Sequence, residues 1–225
     1  MKTRFLLPLL LFLAIFVPWV VSPGHGKATQ PLLASMAAAA QRGQQEFQAA
    51  EGEDREHHFR LSSTTFQKDQ LIPATMVFNG QLGSVCTGGN ESPQLSWTPA
   101  VRGARSYAVA LFDVTANFTH WGMYNIPPTT TALPAGAGAP GSGQQIFNDA
   151  GVQDYSGPCP PPGLVPNAIH RYVFTVYALD SELDLTPSPD FPPGADALYR
   201  AMVGHVIESA SITGLFSCTD ASSCS

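Results

Sequence analysis

The chain has 225 residues, a formal net charge of −6 and only 12% charged side chains. This length gives room for one domain with a sizeable core and a terminal extension. The hydrophobic content is an ordinary 44%, so the low charge does not indicate a membrane protein, and no basic cluster is present to attract nucleic acid. The 20 glycines and 20 prolines indicate many turns and favour β architecture.

Residues 1–28 have the pattern of a secretory signal peptide. Lys2 and Arg4 precede an apolar run from Phe5 to Val21, and small residues follow it. An uncleaved membrane anchor is the alternative, because the run is near the lower length limit for crossing a bilayer. We expect cleavage, and therefore a secreted or periplasmic protein without a stable membrane span.

Residues 29–57 are rich in Ala and Gln and too polar to form a core of their own. We expect a linker or a loosely helical N-terminal extension, followed by a folded domain at residues 58–217 and a short tail at residues 218–225.

The first half of the domain contains several strand patterns. Apolar and β-branched stretches predict strands at Phe59–Phe66, Ile72–Phe78, Leu95–Trp97, Ser106–Asp113 and Met123–Ile126. The fourth is apolar on both faces, which is typical of a central strand in a sandwich. Residues 135–151 form a long loop without hydrophobic periodicity, which we interpret as the wall of a pocket.

A proline-rich segment at residues 154–163 precedes the next predicted strand, His170–Leu179. Four prolines in five positions exclude a helix, and the glycines at 157 and 163 allow turns on either side. Side chains alternate along a strand, so His170 and Tyr172 face the same side. A stiff rim followed by an imidazole and a phenol on one face predicts a small polar pocket.

The last predicted elements are a helix and a strand. Leu198, Met202 and Val206 recur at helical spacing and predict an amphipathic helix over Ala195–Ile207, and Ser211–Phe216 is a strand pattern. Together the elements predict an all-β fold, a Greek-key-like sandwich of two antiparallel sheets with a C-terminal helix.

Several sequence blocks, in this order, resemble the phosphatidylethanolamine-binding protein family, and within it the bacterial branch often described as Raf-kinase-inhibitor-like. The blocks are Asn90-Glu91-Ser92-Pro93-Gln94-Leu95-Ser96-Trp97, Asp113 with His120-Trp121, Tyr124-Asn125-Ile126-Pro127, Gly157-Pro158-Cys159-Pro160-Pro161-Pro162-Gly163 and His170-Arg171-Tyr172.

The resemblance implies a small site for phosphate-like head groups or acetate-sized anions. The residues that would line it are Asp113, His120, Tyr155, Gly157, Cys159, Pro160, His170 and Tyr172. Asp113, at a strand end, and His120, just beyond a polar loop, fit a carboxylate that fixes the tautomer of an imidazole. Thr115 stands where the family usually has a second aspartate, which leaves open whether the ligand is a phosphate ester at all.

The four cysteines suit an oxidising compartment and allow three pairings, among which the sequence alone cannot choose. The family resemblance implies a Cys86–Cys159 disulfide, and the spacing of Cys218 and Cys224 is compatible with a small local ring. Free thiols are the alternative if the protein stays in the cytoplasm. No Cys-x-x-Cys motif is present, so a redox enzyme or a zinc site has little support.

We expect a binding protein rather than an enzyme, with no cofactor and no metal. The sequence has no Gly-x-Ser-x-Gly elbow, no phosphate-binding glycine-rich loop with lysine and no His-x-x-x-His pair. The favoured hypothesis is binding of a small anionic ligand or a phospholipid head group. The alternative is an inhibitor or modulator of another protein, such as a protease, and the oligomeric state stays open.

Overall fold

In a computed structural model of the chain, the structure describes residues 41–42, 45, 58–80, 86–160, 169–185 and 193–218. The chain divides into two units, residues 1–52 and 53–225. In the first unit Gln41, Arg42 and Gln45 are described, and they are helical. The predicted signal peptide, most of the predicted extension and the tail after residue 218 lie outside the described residues. Within the described ranges, no helix is long and apolar enough to cross a membrane.

The second unit contains eight described strands in two sheets. They are β1 (Arg60–Ser62), β2 (Leu95–Thr98), β3 (Ser106–Asp113), β4 (Phe118–Ile126), β5 (Ala132–Leu133), β6 (Gln144–Gln145), β7 (His170–Leu179) and β8 (Val206–Phe216). The smaller sheet has the order β1-β2-β5 and the larger one the order β6-β4-β3-β7-β8, with every neighbouring pair antiparallel. The predicted antiparallel two-sheet fold is confirmed.

The central strand β3 is buried on both faces, as its apolar sequence predicts. Tyr107, Val109 and Leu111 belong to the core that also contains Leu95 and Trp97 of the smaller sheet. On the opposite face, Ala108 packs in a second core with Leu198 of the helix α1 (Ala195–Met202). Burial of each large apolar side chain in such cores stabilises the fold by roughly 1.5–3 kcal/mol.

The predicted strand at residues 72–78 is wrong. A short 3₁₀-helix occupies Ala74–Met76, with a hydrogen bond from the Met76 amide to the Pro73 carbonyl. Pro73 has no N–H with which to join a strand ladder, so its carbonyl begins a tight turn instead. The predicted strand at residues 59–66 is also shorter, because the Ser63 hydroxyl accepts a hydrogen bond from the Thr65 amide and turns the chain after Ser62.

The predicted helix at residues 195–207 ends earlier than expected, at Met202. Gly204 has a φ of 83°, a left-handed conformation that ends the helical turn. Val206 therefore begins β8 rather than continuing the apolar stripe, and it is exposed. The short strands β5 and β6 were not predicted, and β6 lies inside the predicted long loop at residues 135–151.

Candidate functional site

Three adjacent strands bring four of the predicted site residues together at one end of the larger sheet. Asp113, the last residue of β3, lies opposite Tyr172 of β7, and His170 is two residues from Tyr172 on the same face. The ring centroids of His120 and His170 lie 5.3 Å and 6.2 Å from that of Tyr172. The cluster of Asp113, His120, His170 and Tyr172 is called the His–Tyr cluster below.

His120 reaches this cluster because β4 contains a bulge. Phe112 pairs with Thr119 and Leu111 pairs with Trp121, so His120 has no partner residue on β3. An extra residue of this kind breaks the alternation of faces and redirects its side chain. The bulge lets His120 and its neighbour Trp121 both be buried.

The ring of His120 is fixed in orientation and tautomer. Its Nδ1 lies 2.8 Å from the carbonyl oxygen of Ser156, and a carbonyl can only accept, so Nδ1 carries a proton. Burial lowers the pKa of His120 below its ordinary value of 6.5, against the opposing effects of the Ser156 carbonyl and of Asp113. The neutral ring therefore presents Nε2 as a hydrogen-bond acceptor.

Asp113 orients His170 rather than His120, which corrects the arrangement expected from the sequence. Its Oδ2 accepts from Nδ1 of His170 at 2.6 Å, while its Oδ1 accepts from the amides of Thr115 and Ala116. The carboxylate thus holds both the imidazole and the β3–β4 turn. Thr115 stands where the family usually has a second aspartate. Its hydroxyl accepts a hydrogen bond from the Arg171 amide and connects the same turn to β7.

The hydroxyl of Tyr172 is buried and has no hydrogen-bond partner among the described residues. Burial raises the pKa of Tyr172, and the nearby Asp113 raises it further, so the phenol stays protonated. Both carboxylate oxygens of Asp113 already accept from other groups, and no hydrogen bond of adequate geometry joins it to Tyr172. A buried hydroxyl without a hydrogen-bond partner lowers the stability of the folded state by about 1–3 kcal/mol. A ligand or a water molecule that accepts from this hydroxyl would remove the penalty.

Tyr155 supports the rim of the cluster instead of offering a hydroxyl to a ligand, contrary to expectation. Its hydroxyl donates to the Met76 carbonyl at 2.9 Å, and its ring packs edge-on against Trp121. Two residues further on, a Cβ on Gly157 would collide with the same Met76 carbonyl, so only glycine allows this close approach. The amide of Gly157 donates to the side-chain oxygen of Asn90.

The cysteine and proline of the rim are tied to neighbouring segments. Cys159 forms a disulfide with Cys86, the pairing that the family resemblance implies. The sulfur of Cys218 lies 3.6 Å from that of Cys86 and 3.3 Å from the carbonyl oxygen of the buried Pro160. Cys224 and the rim residues 161–168, including Gly163, lie outside the described residues.

Two asparagines that the sequence reasoning did not select hold the loops around the His–Tyr cluster. The side-chain Nδ2 of Asn90 donates to the Tyr155 carbonyl, and the side-chain Nδ2 of Asn148 donates to the carbonyls of His120 and Asp154. Asn90 has a φ of 50°, a conformation that asparagine tolerates better than most residues. Asn90 thus supports the loop that contains Tyr155 and Gly157.

Access to the cluster is beside His170, whose side chain is 14% exposed while that of Asp113 is 2% exposed. The described cavities lie elsewhere, one on the opposite face of the larger sheet and two near β4 and β6. The cluster thus presents one phenol donor and two imidazole Nε2 atoms, which accept when neutral and donate when protonated.

Comparison with known proteins places this geometry in context. A family model described as phosphatidylethanolamine-binding protein matches residues 62–217. A UPF0098 protein of Methanothermobacter thermautotrophicus is 40% identical over 153 residues, which cover 63% of this chain and 95% of that protein. A Mycobacterium tuberculosis protein named as a lipoprotein, LppC, is 34% identical over 122 residues, or 53% of this chain and 58% of that one.

Among solved structures, the chain is similar to Escherichia coli YbcL, described as a new member of the mammalian PEBP family. The two share 30% sequence identity with a TM-score of 0.58, and the match covers 70% of this chain and 97% of YbcL.

Proposed function

The chain belongs to the phosphatidylethanolamine-binding protein family, and from this premise we propose that it is an exported protein that binds a small oxyacid anion at the His–Tyr cluster. The ligand class is phosphate-like or carboxylate-like, either free or as the head group of a larger molecule. The observation that supports this most directly is the Tyr172 hydroxyl, a buried donor without a partner beside two imidazoles.

The protonation states of the cluster favour a particular kind of anion. Tyr172 supplies an O–H donor, whereas neutral His120 supplies an acceptor at Nε2. An oxyacid anion that keeps at least one proton, such as hydrogen phosphate or dihydrogen phosphate, satisfies both groups at once. A fully deprotonated anion instead requires a second proton on His120.

Binding without turnover is part of the proposal. His120 donates to the carbonyl of Ser156 and not to its hydroxyl, so these two residues do not form a nucleophile–base pair. Asp113 is engaged by three N–H groups, which suits it to hold His170 in position.

Export is supported by three independent features. The N-terminal residues have a signal-peptide pattern, the Cys86–Cys159 disulfide suits an oxidising compartment, and a relative is named as a lipoprotein. Intact mass spectrometry of the protein isolated from its own cell should show the loss of residues 1–26 or 1–28. A full-length mass would contradict this part of the proposal.

The anion site is tested by two tyrosine variants that make the same chemical change. Tyr172→Phe removes a hydroxyl that has no partner, so we expect the free energy of unfolding to stay constant or rise by about 1 kcal/mol. Calorimetric titration with inorganic phosphate should show affinity roughly tenfold weaker than for the unchanged protein, for the loss of one hydrogen bond to a charged group.

Tyr107→Phe is the matched control, because the equally buried Tyr107 hydroxyl accepts from the Val101 amide at 3.0 Å. This variant should lose stability and keep its phosphate affinity. Equal phosphate affinity in the Tyr172→Phe variant and the unchanged protein would refute the proposed site. Titration with phosphoethanolamine and acetate then separates head-group, free-phosphate and carboxylate ligands.

A further inference from the structure

A second concave site lies on the outer face of the larger sheet, away from the smaller sheet. Along β7, Tyr172, Phe174 and Val176 face the inner core, while Val173, Thr175 and Tyr177 face outward. The helix α1 covers only part of this outer face. Beside it lies a cavity of about 460 Å³, within the roughly 300–1,000 Å³ range typical of small-molecule sites.

The lining of this cavity combines aromatic rings with negative charge. Phe112 of β3, Tyr177 of β7 and Tyr199 of α1 contribute rings, and Asp149 and Asp196 contribute carboxylates. Among the described residues that line the cavity there is no lysine, arginine or histidine.

The carboxylate of Asp149 is held in place before any ligand arrives. Its Oδ2 accepts from the Thr119 amide at 2.7 Å, and its own amide donates to the Thr119 carbonyl at 3.0 Å. This pairing engages Oδ2, so Oδ1 keeps the capacity to accept a hydrogen bond from a ligand in the cavity. Asp196 is more loosely held, by an exposed contact of 3.4 Å to Arg200 on the same helix, and such exposed pairs are weak.

The phenols of the cavity remain neutral at physiological pH. Burial raises the pKa of Tyr199 to about 12, with a further contribution from Tyr177, while a hydrogen bond with Thr119 opposes the rise. Burial also raises the pKa of Tyr177. The rings therefore keep their electron-rich faces, and the negative charge of the site belongs to the two aspartates.

We propose that this outer cavity binds an organic cation, an ammonium group carried on a small apolar body. A cation is attracted to aromatic faces and to carboxylates alike, and quaternary ammonium ligands are commonly held in such aromatic surroundings. The absence of a basic residue among the described lining residues disfavours anions. This site is separate from the His–Tyr cluster, which faces the other side of the sheet, and its existence does not depend on the anion proposal.

The test compares choline with 3,3-dimethylbutan-1-ol, which has nearly the same shape but no charge. In a titration followed by amide chemical shifts, choline should shift residues near Thr119, Asp149, Tyr177 and Tyr199. It should bind roughly five- to tenfold more tightly than the neutral compound, the range expected for one cation–π contact. Equal affinity of the two compounds, or shifts confined to the His–Tyr cluster, would overturn the proposal.

Three variants locate the interaction. Asp149→Asn keeps an oxygen that can accept from the Thr119 amide but removes the charge, so choline affinity should fall severalfold with the amide spectrum otherwise preserved. Glu208→Gln is the control, because Glu208 is exposed opposite Ala178, on the inner-core face of the sheet. Tyr172→Phe should leave choline affinity unchanged. If Asp149→Asn and Glu208→Gln change the choline affinity by the same factor, the cavity is not a cation site.

Discussion

Oδ2 of Asp113 lies 2.6 Å from Nδ1 of His170, and this contact joins the end of β3 to the start of β7. The same carboxylate accepts from two amides of the turn after β3. One buried side chain therefore fixes the imidazole nearest to solvent and the turn that leads to His120.

Replacement of Asp113 by asparagine tests this double role. An amide has one oxygen and an NH₂ group, so at least one of the three N–H donors would face another donor. We expect the Asp113→Asn variant to lose about 1–3 kcal/mol of stability. Its phosphate affinity should fall at least about tenfold if one charge-assisted contact is misplaced. Denaturant unfolding and calorimetry measure the two effects.

The chain offers a matched control in a second histidine–aspartate pair. His205 Nδ1 lies 2.8 Å from Asp180 Oδ1, but both side chains are about half exposed. Asp180→Asn should change stability by less than about 1 kcal/mol and should leave phosphate affinity unchanged. Similar losses of phosphate affinity in both variants would mean that Asp113 acts through net charge and not through position.

The long strands could be predicted from the sequence because their patterns are local. Residues 107–112 and 172–179 are apolar, aromatic or β-branched throughout, and the predicted strands 106–113 and 170–179 match β3 and β7. The start of β4 could not be found in this way. The bulge at His120 interrupts the alternation of faces, and both faces of β4 are covered, so polar and apolar residues do not alternate as they do in a half-buried strand.

The family motifs were sufficient to predict which residues form the His–Tyr cluster, but not which of them are hydrogen-bonded to each other. Whether Asp113 faces His120 or His170 depends on the register between β3 and β7, which is set by long-range pairing and not by nearby residues. The role of Asn90 was hidden for a similar reason. Its partners, Tyr155 and Gly157, are more than 60 positions away in sequence.

Replacement of Gly157 tests the close packing of the rim. A Cβ there would collide with the carbonyl of Met76 and lie 2.6 Å from the amide nitrogen of Phe78, neither of which can move without disturbing the backbone. We expect Gly157→Ala to cost at least about 1–3 kcal/mol of stability and to weaken phosphate binding, as measured by thermal unfolding with and without phosphate.

Gly194→Ala is the comparison for this variant. The nearest atom to its added Cβ would be the Phe147 carbonyl oxygen at 3.8 Å, and its φ of −90° suits any residue. This variant should unfold near the temperature of the unchanged protein. A Gly157→Ala protein that is just as stable would show that the rim can shift freely.

Removal of the disulfide tests how the rim is anchored to the rest of the domain. Cys86 and Cys159 are 73 positions apart, and the chain-entropy model assigns a cross-link of this length about 4 kcal/mol. The Cys86→Ala/Cys159→Ala protein should therefore unfold at a clearly lower urea concentration and bind phosphate more weakly. A midpoint equal to that of the unchanged protein would indicate that the packing of Pro160 and Gly157 alone holds the rim.

The pH dependence of anion binding follows from the protonation state of His120. Because burial lowers its pKa, the folded protein binds fewer protons at this residue than the unfolded chain, whose histidine titrates near 6.5. The free energy of unfolding should therefore fall as the pH drops below about 6.5 and through the lowered pKa. The charges of Asp113 and Asp149 raise the pKa of His120 and that of His170 lowers it, without reversing the effect of burial.

Sulfate is the suitable probe, since it stays fully deprotonated throughout this range and can accept from Nε2 of His120 only when the ring is charged. Its affinity should rise as the pH falls from 7.5 to 5.5, and sulfate should offset the acid loss of stability. His120→Asn can still donate to the Ser156 carbonyl but does not titrate, so its sulfate affinity should vary less with pH. If Nε2 of His120 binds the anion, protonation of the ring must change the sulfate affinity. A sulfate affinity that is independent of pH in the unchanged protein would therefore show that His120 does not bind the anion.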